Sequence, residues 1–223
     1  MWDLPLRLFH WLLVLAVVGC WITYELGVAY FTWHEWFGYA TLVLVVFRLA
    51  WGFAGPKHAR FSGFLRAPSA WWGHARVLLS RTPEEHAGHS PLGAVMIVVL
   101  LALLLVMGVT GLFANDEIMN TGPFYGYVSD TLSDRLSRLH RSLMDWLWVA
   151  IAVHVAAIAF YGLAKRQDLV TPMFSGRKRG RWLTPADEIS GSKLVLAALL
   201  LGLAALILYI AVITAPEPSI FLF

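Results

Sequence analysis

Long apolar runs separated by short polar stretches organise this chain. Five runs stand out, at about 5–24, 33–53, 91–113, 138–164 and 193–214. Each approaches the roughly 20 residues that a helix needs to cross a hydrocarbon core of about 30 Å. The runs are continuously apolar rather than alternating, which predicts helices and not barrel strands. The stretch "PSAWWGHARVLLSR" at 68–81 has the pattern of a short amphipathic helix, either lying on a membrane surface or in an ordinary loop. The expected fold class is an all-α membrane protein with five spans.

Composition agrees with the pattern. The 223 residues are 59% hydrophobic and only 14% charged, whereas a soluble domain carries about 25% charged residues. The net charge of +3 does not point to nucleic acid, because basic residues in a membrane protein first report orientation. Lys57, Arg60, Arg66, Arg76 and Arg81 follow the second run, and Lys165, Arg166, Arg177, Lys178, Arg179 and Arg181 follow the fourth. The loop after the first run has no Lys or Arg. The loop after the third carries Asp116, Glu117, Asp130 and Asp134, with Arg135 and Arg138 close to the next run. The basic loops belong in the cytoplasm, so the expected topology is N-terminus inside and C-terminus outside. "VVGC" at 17–20 resembles a lipoprotein processing site. Asp3, a single arginine and an apolar run continuing past Cys20 favour a retained first helix. Cys20 is the only cysteine, which excludes an intrachain disulfide, a C-x-x-C-H haem attachment and any cluster held by several thiolates.

Histidines are the chemistry that the apolar runs do not need. From Trp146 to Ala164 no residue is charged, yet His154 lies inside that segment and His140 just before it. Their spacing of fourteen residues is close to four helical turns, so both rings share a face, roughly 21 Å apart along the axis. Ionisable groups at such depth mark function more often than packing. His10 falls early in the first run, which starts inside. His34 falls early in the second, which starts outside. Topology therefore pairs His34 with His140 near the outer face and His10 with His154 nearer the inner face. Paired imidazoles from different helices are the axial ligands that a six-coordinate b-type haem needs.

Four stretches in order, "WDLPLRLFHW", "HEWFGYATLVLVVFRLAWGFAGPKHARF", "HSPLGAVMIVVLLALLLVMGVTGLFANDEI" and "LHRSLMDWLWVAIAVHVAAIAFY…LVTPMFSG", resemble the bacterial cytochrome b561 family. Its relatives include the cytochrome b subunits of nickel–iron hydrogenases. The resemblance implies a four-helix dihaem domain over 1–180, with a cytoplasmic loop at 54–90. A linker and a fifth transmembrane helix at 181–223 remain as an added docking or oligomer surface. It further implies two non-covalent bis-histidine haems held by His10, His34, His140 and His154. Electrons would pass to or from membrane quinone in the bacterial inner membrane. The redox partner would be a periplasmic cytochrome c or a dehydrogenase or hydrogenase subunit.

Weaker signals surround these positions. Arg48 lies fourteen residues after His34, and a buried arginine seeks a counter-charge such as a haem propionate, or else snorkels to the interface. Arg7, one turn before His10, invites the same reading, as do Arg138 and Arg141 beside His140. Gly38, one turn after His34, would let a porphyrin approach. Glu35 and Asp145 could relay quinone protons or simply be solvated. His86 and His89 could bind a metal but read more simply as a solvated loop, along with His58 and His74. Two other functions remain open. A superoxide oxidase would need a cationic outer funnel, which Arg135, Arg138 and Arg141 could supply against four nearby acids. A histidine-lined metal transporter would show no haem spectrum.

Overall fold

The computed structural model describes residues 2–64, 90–177, 188–189 and 191–216. The stretch 68–81, His74, His86, His89 and most of the basic run at 176–181 lie outside the described residues. Among the described residues, five helices are long and apolar enough to cross a membrane: α1 (Leu4–Glu25), α2 (Phe31–Ala54), α4 (Pro91–Leu112), α5 (Asp130–Leu163) and α7 (Leu194–Ile213). The described residues between them include two short α-helices, α3 (Phe61–Phe64) and α6 (Thr171–Ser175). Helices satisfy their own backbone, which is the condition for crossing hydrocarbon. Their outward side chains are accordingly large and apolar: Leu15, Trp33, Trp146, Val195 and Leu206 are all exposed. On α7 the buried positions are the small residues Ala197 and Ala204, as expected where helices approach closely in lipid.

The helix ends follow local chemistry. Asp3 caps α1, its Oδ1 accepting the Leu6 N–H at 2.9 Å, a preferred use of Asp at this position. The turn after α1 needs a left-handed residue, and Gly27 supplies it at φ 88°. One boundary differs from the sequence expectation. Helix α5 begins at Asp130, about eight residues before the apolar run. Its first turns are polar, so hydropathy does not reveal them, but they are well anchored. Asp130 complements the helix dipole, Ser133 Oγ donates to the Phe113 carbonyl at 2.7 Å, and Ser137 Oγ accepts the Asn115 N–H at 2.8 Å.

The chain forms two compact units. The first comprises Met1–His10, Arg48–Leu100 and Val149–Leu199. Its interior holds Leu6, Phe9, Trp51, Ala59 and Ala94, and it also buries Asp3 and Arg48. The second comprises Trp11–Phe47, Leu101–Trp148 and Leu200–Phe223. Ala16, Leu42, Leu44, Val45, Leu104 and Leu147 fill it, with an edge-to-face pair of Trp21 and Trp148 at 5.4 Å.

Candidate cofactor sites

The second unit brings His34 of α2 and His140 of α5 together, ring centroids 6.3 Å apart and nearly perpendicular. Each ring is fixed from behind by a backbone carbonyl. His34 Nδ1 donates to the Cys20 carbonyl at 2.9 Å, and His140 Nδ1 donates to the Met107 carbonyl at 2.8 Å. A carbonyl can only accept, so Nδ1 carries the hydrogen and Nε2 keeps its lone pair. This is the arrangement by which proteins prepare a histidine to ligate a metal. With metal–nitrogen bonds of about 2 Å and about 1 Å from nitrogen to ring centre, two imidazoles sharing one metal have centroids roughly 6 Å apart. The observed spacing fits that requirement.

Two cavities of about 390 and 310 Å³ flank the pair, and both are lined by His34, Gly38, Gly108, His140 and Arg141. Glycine shapes the walls. A Cβ at Gly38 would meet nothing within 4 Å, whereas one at Gly111 would lie 3.0 Å from His140 Cε1. Leu104, Leu147 and Trp148 make the second cavity apolar. Glu35 lines the first, accepting the Tyr39 hydroxyl at 3.2 Å, and Asp145 lines the second.

The first unit contains His10 of α1 and His154 of α5, both half-buried and within electrostatic reach of each other. The same unit also holds charged side chains. Arg48 is 2% exposed and stacks over the Phe61 ring at 5.0 Å. Asp3, also 2% exposed, accepts Trp51 Nε1–H at 3.1 Å and interacts electrostatically with Arg48. Burial raises the Asp3 carboxyl above the usual range, against the pull of the Leu6 N–H, the Trp51 indole and the Arg48 charge. Arg7 donates to the Phe174 carbonyl, and its guanidinium packs beside Gly176.

A family model described as prokaryotic cytochrome b561 matches residues 1–176. The chain belongs to the prokaryotic cytochrome b561 family. It is therefore a multi-pass membrane b-type cytochrome of electron transport. Its relatives include probable Ni/Fe-hydrogenase B-type cytochrome subunits. Those of Azotobacter chroococcum mcd 1 and Azotobacter vinelandii are each 26% identical, covering 78% of this chain and 86% of the relative. That of Rhizobium leguminosarum bv. viciae is 25% identical, covering 79% and 87%. No solved structure gives a significant match.

The b-type haem that a cytochrome b family implies has a site it fits: two preset imidazoles at a cavity walled in part by glycine. Arg141 sits on the rim of both cavities, while Arg138 is exposed on α5 outside their linings. Arg48 and Arg7 fall in the unit of His10 and His154. The counter-charge sought for Arg48 has a protein candidate in Asp3, which the sequence offered only as a charge near the N-terminus. Sequence reasoning also missed Gly108 and Gly111. Their signal was two glycines three residues apart in an otherwise apolar helix. The carbonyls of Cys20 and Met107 leave no signal, because any residue carries one. Among the described residues, no three His, Cys, Asp or Glu side chains cluster as a metal-ion site.

Proposed function

We propose that this chain is a transmembrane dihaem cytochrome carrying electrons between membrane quinone and a redox partner. His34 and His140 bind one b-type haem, and His10 and His154 bind the second. The observation that carries the reading is the His34–His140 pair, with each Nδ1 tied to a carbonyl at centroid spacing suited to one shared metal. The haem, when bound, supplies a one-electron iron couple. The chain's own residues do the rest. The Cys20 and Met107 carbonyls hold the Nδ1 protons and so make both imidazoles stronger donors. Gly38, Gly108 and Gly111 keep the cavity walls thin. Leu104 and Leu147 exclude water and lower the local dielectric. Arg141 offers a positive charge to a propionate at the cavity rim, and Arg7 and Arg48 do so in the other unit.

The second haem is supported by the histidine spacing on α5 and by the separate unit that holds His10 with His154. Quinone is supported by the family resemblance. The names of the relatives support a partner that is an oxidoreductase subunit or a soluble carrier. Loop charge supports insertion in the bacterial inner membrane with the N-terminus cytoplasmic. The fifth helix, outside the family match, is read as an added docking or oligomer surface. The test is a reduced-minus-oxidised spectrum of the purified protein with titrated quinol. Quinol should reduce both haems. Haems inert to quinol would overturn the reading, and near-diffusion-limited reduction by superoxide would favour a superoxide oxidase.

A further inference from the structure

The loop between α4 and α5 presents two apolar side chains where water should discourage them. Ile118 is 76% exposed and Met119 is 87% exposed. Their exposure does not come from a loose loop. Asn115 and Thr121 close its base in a β-bridge. Asp116 Oδ1 accepts the consecutive N–H groups of Ile118, Met119 and Asn120, each at 2.9 Å. The Asn120 amide donates to Oδ2 at 2.6 Å. Desolvation opposes ionisation of this carboxyl, but the amides of Ile118, Met119 and Asn120 together outweigh it and hold Asp116 down at about 2. The same web stabilises Glu117 at φ 59°, a conformation that non-glycine residues adopt rarely. Asn115 Nδ2 ties the base to Ser133 and Asp134 of α5.

The stem of the loop is also a wall of the redox cavity. Ala114, Asn115, Asp116, Asn120 and Gly122 line the same cavity as His34 and His140. A molecule seated on the tip is therefore held beside the cavity that His34 and His140 line. From Phe113 to Asp134 the chain carries four acids and no Lys, Arg or His. That charge repels anionic headgroups and attracts a basic protein. A fixed apolar tip with an acidic surround loses little entropy on docking.

We propose that this loop is the docking element for a soluble, basic electron carrier, which Ile118 and Met119 grip through an apolar patch on its lysine-rich face. The proposal rests on the electron-transfer reading above. The test uses the full haem-loaded chain in lipid nanodiscs, with haems reduced by dithionite so that docking is read whatever quinol does. A lysine-rich cytochrome c is the oxidant in stopped flow. The Ile118→Ser/Met119→Ser double variant should lower the second-order rate about tenfold or more, with an unchanged haem spectrum. Glu117→Lys should lower it several-fold at low salt, with the difference fading as salt rises. Parent-like rates in both variants would overturn the proposal. So would a nitroxide on Met119→Cys that senses lipid-dissolved oxygen rather than a water-soluble nickel chelate, because the tip would then belong to the bilayer. Inertness to quinol, measured separately, would count against the electron-transfer reading alone.

Discussion

In the second unit, backbone carbonyls, glycines and the charged side chains of Glu35, Arg141 and Asp145 stand around His34 and His140; the first unit, which contains His10 and His154, also holds the buried Asp3 and Arg48. The proposed ligands are imidazoles in both, but their surroundings differ. Carbonyl dipoles on the Nδ1 protons strengthen the imidazoles at one site. A buried cation and a buried acid lie in the unit that holds the other. If both pairs ligate haem as proposed, unlike fields would give two different redox steps.

The largest effect that tests this contrast is loss of cofactor. His34→Ala and His140→Ala should each remove the same half of the bound haem, and His10→Ala and His154→Ala the other half. Pyridine haemochrome content against protein mass reads this directly. If His10→Ala and His34→Ala removed the same component, the pairing would be wrong.

Next comes the charged cluster. Arg48→Met leaves Asp3 buried without its electrostatic neighbour and should lower thermal stability by about 2–4 kcal/mol. Adding Asp3→Asn should recover part of that loss, because Asn still caps α1 and brings no charge. Thermal loss of the Soret band compares the three chains. Equal stability of Arg48→Met and the parent would show that the cluster is not coupled.

Gly111→Ala probes the opposite environment. Its Cβ would come within 3.0 Å of the His140 ring, and relieving that contact should cost about 1–3 kcal/mol. The displaced ring would stretch its bond to the Met107 carbonyl, so one haem alone should change its spectrum. Gly38→Ala, whose Cβ meets no protein atom but would project into the cavities that Gly38 lines, should perturb that same haem and leave the other as it is.

How much of this was legible in the sequence follows from what each feature depends on. The five spans depend on hydropathy, which the bilayer imposes residue by residue, and they were read within a few residues. Helix α5 was the exception, since its first two turns are held by Ser133, Ser137 and Asn115 rather than by lipid. The meeting of His34 and His140 was legible because a polar ring in an apolar run needs a reason and topology puts these two at one depth. The burial of Asp3 was not, because it depends on Trp51 and Arg48 approaching from α2. Nor were the carbonyl acceptors, which belong to the backbone and come from helices remote in sequence.

The smallest expected effect lies in the acidic loop. Asp116 has a depressed pKa, about 2 when folded against about 3.9 unfolded. Its contribution to loop order is therefore full above about pH 4 and is lost as pH falls toward 2. Amide exchange at Ile118, Met119 and Asn120 should accelerate over that window, and Asp116→Asn should abolish the pH dependence. Exchange rates with no pH response beyond intrinsic chemistry would remove Asp116 as the organiser of the loop.

The most direct test of the two-environment account is a potentiometric titration of the haem α-band in the parent, Arg48→Met and Gly111→Ala chains. The account predicts two one-electron components of equal amplitude. Arg48→Met should lower the potential of one by roughly tens of millivolts, because a positive charge in the unit of His10 and His154 is gone. Gly111→Ala should move only the other. A single component in the parent, or one component shifted by both variants, would contradict it.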